Sequence, residues 1–80
     1  MSVKEAVAER IIELCQERSI SVNDICNKSG IPPSTIYSIL GIKSQNPGIV
    51  TIKKLCDGFE IGIDEFFNTE IFKNLEQEIM

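Results

Sequence analysis

The 80-residue chain contains no histidine and no tryptophan, and it has a single tyrosine. It also lacks a glycine-rich phosphate loop and a cysteine beside a plausible base, so the usual groups of nucleophilic and acid–base catalysis are missing. A chain this short has little volume for a cofactor pocket beside its core. We therefore predict a single small globular unit that is not an enzyme and that binds no cofactor.

Cysteine is scarce and odd in number, with Cys15, Cys26 and Cys56 alone. No two of them form a C-x-x-C pair, and each lies beside an apolar residue within a helix-like stretch. We interpret them as free thiols in the core of a protein kept in a reducing cytoplasm. The alternatives are a structural disulfide or a metal site.

Long apolar runs are absent as well. Charges at Glu5, Glu9 and Arg10 interrupt the region where a signal peptide needs an unbroken apolar core. No run approaches the roughly 18 apolar residues that a membrane-spanning helix requires. These features predict a cytoplasmic protein with no membrane contact.

Positive charge is in deficit, since the net charge is −4. A chain that binds nucleic acid by bulk charge would be basic. The charge is uneven, however: residues 1–20 carry −1, residues 21–58 carry +2 and residues 59–80 carry −5. The middle of the chain can therefore approach a polyanion while both ends remain acidic.

Apolar residues recur at helical spacing through residues 3–18, which predicts an amphipathic helix, with Ser2 and Glu5 as its capping box. An acidic stripe follows the same helix at every fourth residue: Glu5, Glu9, Glu13 and Glu17. Such a stripe is either a solvated face or a docking face for a basic partner.

Two short helices follow, separated by a turn. The first begins at Ser21 and ends at Gly30; the second begins at the double proline and ends before Gly41. Two helices of this length joined by a short glycine-containing turn are a helix-turn-helix unit. The two helices of this unit cross closely, so six of its positions require small or apolar residues. With Val22 as the first position, these six are Ile25, Cys26, Gly30, Ile31, Ile36 and Ile39.

The rest of the chain predicts a loop over residues 41–48, a fourth helix from Ile49 and a short fifth helix after Gly62. The apolar residues of the C-terminus, Ile71, Phe72, Leu75 and Ile79, describe an amphipathic tail. No segment alternates apolar and polar residues long enough for a strand. We predict an all-α fold: a compact five-helix domain over residues 1–68, with a tail over residues 69–80.

Residues 9–67, which include the helix-turn-helix pattern, resemble the Cro and phage-repressor type of helix-turn-helix regulator, also called the xenobiotic-response-element family. This resemblance implies a five-helix DNA-binding domain of bacterial or phage origin. It also implies that the third helix lies in the major groove and that two chains pair on a palindromic operator.

The resemblance assigns roles to individual residues. Base-facing positions are Pro33, Ser34 and Ser38, with Pro32 and Tyr37 at the edge of the groove, and phosphate contacts fall on Lys43, Ser44, Gln45, Asn46 and the start of the fourth helix. The chain departs from the family at the end of the fourth helix, where Glu60 replaces a frequent glycine. Serine hydroxyls discriminate bases weakly, so we expect modest specificity at each base pair.

Two functions are compatible with these features. The first is sequence-specific binding of double-stranded DNA by a transcriptional regulator, which the helix-turn-helix pattern favours. The second is a protein-interaction module, such as an antitoxin-like or anti-repressor partner, which the acidic charge favours. For the first function we expect a homodimer, whose interface is predicted in the C-terminal third: Phe66, Phe67, Ile71, Phe72, Leu75 and Ile79.

Overall fold

A computed structural model of the protein describes residues 1–41 and 46–79. Five α-helices and one 3-10 turn follow one another along the chain: α1 (Val3–Glu17), α2 (Val22–Ser29), α3 (Pro33–Leu40), α4 (Ile49–Phe59), α5 (Ile63–Phe67) and the turn Glu70–Phe72. The described residues contain no strand. The predicted all-α class and the five helices are confirmed, and each predicted helix start lies within one residue of the observed one.

The first two helices begin at the predicted capping boxes. In α1 the Glu5 amide donates to the Ser2 hydroxyl at 3.2 Å, and the Ser2 amide donates to the Glu5 carboxylate at 3.1 Å. The same reciprocal pair forms between Ser21 and Asp24 at the start of α2, with both distances at 3.0 Å. Each box satisfies two amides that the helix itself leaves unpaired, and so it fixes where the helix begins.

The turn between α2 and α3 is built by Gly30 and the two prolines. Gly30 has a φ of 70°, a left-handed conformation that ends α2 and that glycine adopts without strain. Pro33 is the first residue of α3, where its missing amide costs no hydrogen bond. The carbonyl of Pro32 accepts from the amides of Thr35 and Ile36 at 3.0 and 3.3 Å, which starts α3.

The core lies between α1, α2, α3 and α4, and it is closed at one end by α5. Five apolar residues of α2, α3 and α4 are buried in it, with exposures between 0% and 3%: Ile25, Cys26, Ile36, Ile39 and Leu55. The three cysteines are buried and free. Burial raises the pKa of all three thiols, so they remain protonated at neutral pH.

The charged residue Arg10 also lies in the core, at 6% exposure. Its Nε donates to the carbonyl of Phe66 at 2.8 Å, its Nη2 donates to the carbonyl of Glu65 at 3.0 Å, and its Nη1 pairs with Glu13. The guanidinium therefore satisfies the carbonyl groups at the end of α5 and ties that helix to α1. In the sequence Arg10 stands out only as a charge that interrupts an apolar run, and this role was not predicted.

The tail packs back on its own domain. Phe72 meets the rings of Phe66 and Phe67 with centroids 6.1 and 4.9 Å apart, and the Glu76 amide donates to the Met1 carbonyl at 3.1 Å. Beyond the single 3-10 turn, residues 73–79 form no helix. The helical spacing of the tail residues therefore does not continue as a helix, and Ile79 is 87% exposed.

Candidate nucleic-acid interface

One side of α3 faces solvent. The five residues predicted for the reading face all lie on it and are exposed: Pro32, Pro33, Ser34, Tyr37 and Ser38. Ile36 and Ile39 anchor the opposite side in the core, at 0% and 3% exposure. Because residues three and four apart share a helix face, this anchoring turns Ser34, Tyr37 and Ser38 outward together.

The predicted phosphate-binding residues are described only in part. Asn46 is exposed and lies two residues before Gly48, the N-cap of α4. Lys43, Ser44 and Gln45 lie outside the described residues. The described part of the candidate interface therefore consists of α3, Asn46 and the beginning of α4.

A polar groove of about 300 Å³ separates α3 from the beginning of α4. We call it the α3–α4 groove; its lining is Ser34, Thr35, Ser38, Ile39, Asn46, Pro47, Gly48 and Thr51. The side chains of Thr35 and Thr51 were not identified from the sequence. The groove joins residues that are far apart in the chain, so spacing alone contains no signal for them.

The first turn of α4 opens onto this groove. Gly48 caps the helix with backbone alone and makes no side-chain cap hydrogen bond. The amides of the first helical turn therefore remain available as donors, and the helix dipole adds positive potential there. Hydroxyl, amide and backbone N–H groups at this point suit a phosphate oxygen, a ligand that prefers several donors.

Charge is sparse on this side of the molecule. None of the exposed α3 residues carries a charge, and Lys53 on α4 pairs with Asp57. Lys54 on α4 and Lys28 in the last turn of α2 are exposed. At the far end of α3, Lys4 donates to the carbonyl of Gly41 at 3.2 Å. Contacts to an anion must therefore rely largely on neutral donors and a few lysines.

The site offers no metal-binding cluster within residues 1–41 and 46–79, because no group of three or more cysteine, aspartate or glutamate side chains is arranged to hold an ion. In the same residues, none of the helices has the length and apolarity needed to cross a lipid bilayer.

Helices α2 and α3, the glycine turn between them and the exposed face of α3 define a helix-turn-helix domain. Residues 10–70 match the Cro/C1-type helix-turn-helix DNA-binding domain, and the chain belongs to this family. Its fold is also that of a structure titled the crystal structure of the prophage Lp1 protein 11. The TM-score is 0.82 at 26% sequence identity, and the match covers 94% of this chain and 100% of that one. No curated protein matches the chain. The family resemblance found in the sequence is thereby confirmed.

Proposed function

We propose that the protein is a transcriptional regulator that recognises specific DNA sequences by placing α3 in the major groove. The observation that carries this proposal is the exposure of Ser34, Tyr37 and Ser38 on a helix held rigidly by Ile36 and Ile39. A helix of this diameter fits the major groove, where base edges present distinct donors and acceptors. Membership in a DNA-binding domain family supports the same conclusion.

In this proposal base reading and phosphate binding use different residues. Ser34 and Ser38 hydrogen-bond to base edges, and the ring of Pro33 contacts an apolar group such as a thymine methyl. Tyr37 and Pro32 lie at the groove edge. Asn46 and the open first turn of α4 hold a phosphate, together with Lys43, Ser44 and Gln45 of the loop.

The proposal is tested by selecting bound fragments from a random DNA pool and repeating the selection with variants. Ser38→Ala removes a base contact, so we expect the preferred base to change at one position. Asn46→Ala removes a phosphate contact, so we expect weaker binding to every sequence with the same preference. Asn74→Ala, in the tail, is the matched control and leaves both properties unchanged. Identical selected sequences and affinities for all three variants would overturn the α3 assignment.

We further propose that the protein acts as a homodimer. Two-fold pairing doubles the few base contacts that one α3 can make. Within the C-terminal third, Phe66 is fully buried and Phe67 and Phe72 pack against it, so the residues that remain for an interface are Ile71, Leu75 and Ile79.

Light scattering at tens of micromolar tests this pairing. We expect about twice the chain mass, and we expect deletion of residues 74–80 to return it to that of one chain. This deletion retains Phe72 in the aromatic cluster, so the domain stays intact. A single-chain mass for the whole protein would contradict the dimer, and a dimer unaffected by the deletion would contradict this interface.

A protein-interaction module is the second candidate function. The observation that favours it is the neutral face of α3 together with the net charge of −4. A gel shift with genomic fragments at low salt separates the two functions. Retarded fragments support DNA reading, whereas free DNA at every protein concentration supports the interaction module.

A further inference from the structure

A second groove runs along the exposed side of α1, away from the centre of the α3 reading face. One part, about 470 Å³, lies between α1 and the end of α3, and includes Ala8, Ile12 and Leu40. A second part, about 250 Å³, lies between α1 and the tail and includes Ile12 and Ile71. Both parts share Ile12 and Glu9, and we call the two together the α1 groove.

The floor of the α1 groove is apolar. Ile12 is 41% exposed. Ala8 lies one turn before it, and Leu40 and Ile71 contribute half-buried side chains from the two flanking elements. A second chain that covers these side chains would remove their apolar surface from water.

The rim of the α1 groove is acidic. Glu5, Glu9 and Glu13 follow one another at every fourth residue and line it. Among the described residues Glu9 has no hydrogen bond or ion pair, whereas Glu5 closes the capping box and Glu13 pairs with Arg10. Within residues 1–41 and 46–79, Lys4 is the cation of the rim, and it donates to the Gly41 carbonyl.

This charge decides between the possible occupants. DNA is excluded by repulsion from the glutamates. A second copy of the chain in a two-fold pair would place the same acidic rim against itself, because an isologous interface brings identical surfaces together. A segment with an apolar stripe and basic residues beside it complements both the floor and the acidic rim.

We infer that the α1 groove is the docking site for a basic amphipathic helix of a protein partner. Two apolar side chains of the partner, one helical turn apart, cover Ala8 and Ile12, which are themselves one turn apart. Lysine or arginine side chains beside this stripe reach Glu9 and its neighbours Glu5 and Glu13 along the rim. This function is separate from DNA reading and uses none of the residues assigned to base contacts.

The experiment uses the full chain and a synthetic helical peptide of about 16 residues, roughly the length of α1. The peptide has one leucine stripe flanked by lysines, and its controls are a scrambled peptide of the same composition and a peptide with glutamate in place of lysine. Titration calorimetry gives the affinity, and chemical-shift changes in the labelled protein give the site. We expect binding of the first peptide alone, with shifts concentrated at Ala8, Ile12 and Leu40.

Matched variants distinguish peptide binding in the α1 groove from nonspecific attraction of a basic peptide to an acidic protein. Ile12→Ser and Glu9→Lys alter the floor and the rim, and both residues are exposed enough for the fold to tolerate the change. Ile79→Ser and Glu78→Lys make the same chemical changes in the tail. We expect the dissociation constant to rise about fivefold or more for the groove variants and to stay constant for the tail variants. Circular dichroism verifies that all four are folded.

Equal binding of the scrambled peptide, or equal losses in the groove and tail variants, would overturn the inference. So would a loss of self-association on Ile12→Ser, which would make the groove an interface between copies. Gel shifts with the two groove variants, Ile12→Ser and Glu9→Lys, are expected to be unchanged. A failure of peptide binding with intact DNA binding would therefore remove this docking site and leave the proposed regulator in place.

Discussion

Two of the described non-glycine residues have a left-handed backbone conformation, which residues other than glycine disfavour. Among the described residues other than glycine, Ser19 and Glu60 have positive φ, at 53° and 61°. Glu60 ends α4, and its amide donates to the carbonyls of Asp57 and Cys56. The frequent glycine of the family at this place has a physical reason, since a left-handed conformation costs other residues about 1–2 kcal/mol.

Replacing Glu60 by glycine is therefore expected to stabilise the protein. The relief of backbone strain exceeds the extra entropy that glycine loses on folding, so we expect a gain of about 0.5–1 kcal/mol in the free energy of unfolding. Glu9→Gly in α1 is the matched control and should lose about 1 kcal/mol. Urea unfolding measures both changes. A loss of stability for Glu60→Gly as large as that for Glu9→Gly would contradict this account of Glu60.

Arg10 shows what could not be predicted at this scale. Its place in the first predicted helix is readable from the sequence, but its acceptors are the carbonyls of Glu65 and Phe66, which lie 55 and 56 residues further along the chain. Only the folded backbone brings the end of α5 to α1. Ser34 and Ser38, in contrast, were predictable as exposed residues, because Ile36 and Ile39 on the same helix determine which side is buried.

At the scale of helices, the sequence features that predicted the helix boundaries correctly each involve residues close together in the chain. Capping boxes, the proline at the start of α3 and the left-handed Gly30 each act within about one turn, and all of them were read correctly. The tail was different, because Phe72 packs on Phe66 and Phe67. That contact takes the place of a helical continuation, and a periodic pattern does not reveal it.

The two capping boxes predict how stability depends on pH. Hydrogen bonds from the backbone and hydroxyl of Ser2 lower the pKa of Glu5, and those of Ser21 lower the pKa of Asp24. A carboxyl with a lower pKa in the folded state stabilises the fold above its unfolded pKa of about 4, and this contribution disappears as the pH falls through the folded pKa. We therefore expect stability to fall below about pH 4.

The variant Glu5→Gln/Asp24→Asn tests this dependence. We expect it to be less stable than the original at neutral pH and to lose less stability between about pH 4 and pH 2.5, because it has no capping carboxylate to protonate. Glu78→Gln, an exposed change in the tail, serves as the control and should keep the original pH profile. Urea unfolding at a series of pH values gives the comparison. Parallel profiles for the double variant and the original would show that the caps do not cause the acid sensitivity.

At the crossing of α2 and α4, we expect alanine in place of Gly58 to destabilise the protein, although helix propensity alone predicts that alanine stabilises a helix. A Cβ atom at Gly58 would lie 3.0 Å from the Ser29 Cβ and 3.1 Å from the Ile25 Cδ1. Alanine normally stabilises a helix interior by about 1 kcal/mol relative to glycine, but overpacking costs about 1–3 kcal/mol. We expect Gly58→Ala to lower the free energy of unfolding by about 1 kcal/mol.

A double-mutant cycle identifies the cause of that loss. In a Ser29→Gly background the nearest Cβ is absent, so Gly58→Ala should cost clearly less than it does in the original chain. Thermal unfolding of the four proteins provides the measurement. If Gly58→Ala stabilises the original chain, the two helices have room to separate and the close crossing does not constrain them.

For the whole molecule, the distribution of charge matters more than its total. The acidic residues concentrate in α1 and in the last third of the chain, whereas residues 21–58 carry a net +2. Membership in a DNA-binding family is therefore compatible with a net charge of −4, because the side that holds α3 is the less acidic one. The cost of this arrangement is a small number of cations available for phosphates, and that number determines how DNA binding responds to salt.

We accordingly expect DNA binding to be less sensitive to salt than that of a basic repressor. Lys53 is engaged by Asp57, which leaves Lys28 and Lys54 as exposed cations of the described middle segment, together with Lys43 of the loop. Two or three phosphate contacts per chain give about four to six per dimer and a slope of log affinity against log salt near −4 to −5. Lys43→Ala should flatten this slope by about 2 in the dimer and leave the sequence preference unchanged. Ser38→Ala should leave the slope unchanged and alter the preference. A slope that is the same in both variants would show that Lys43 binds no phosphate.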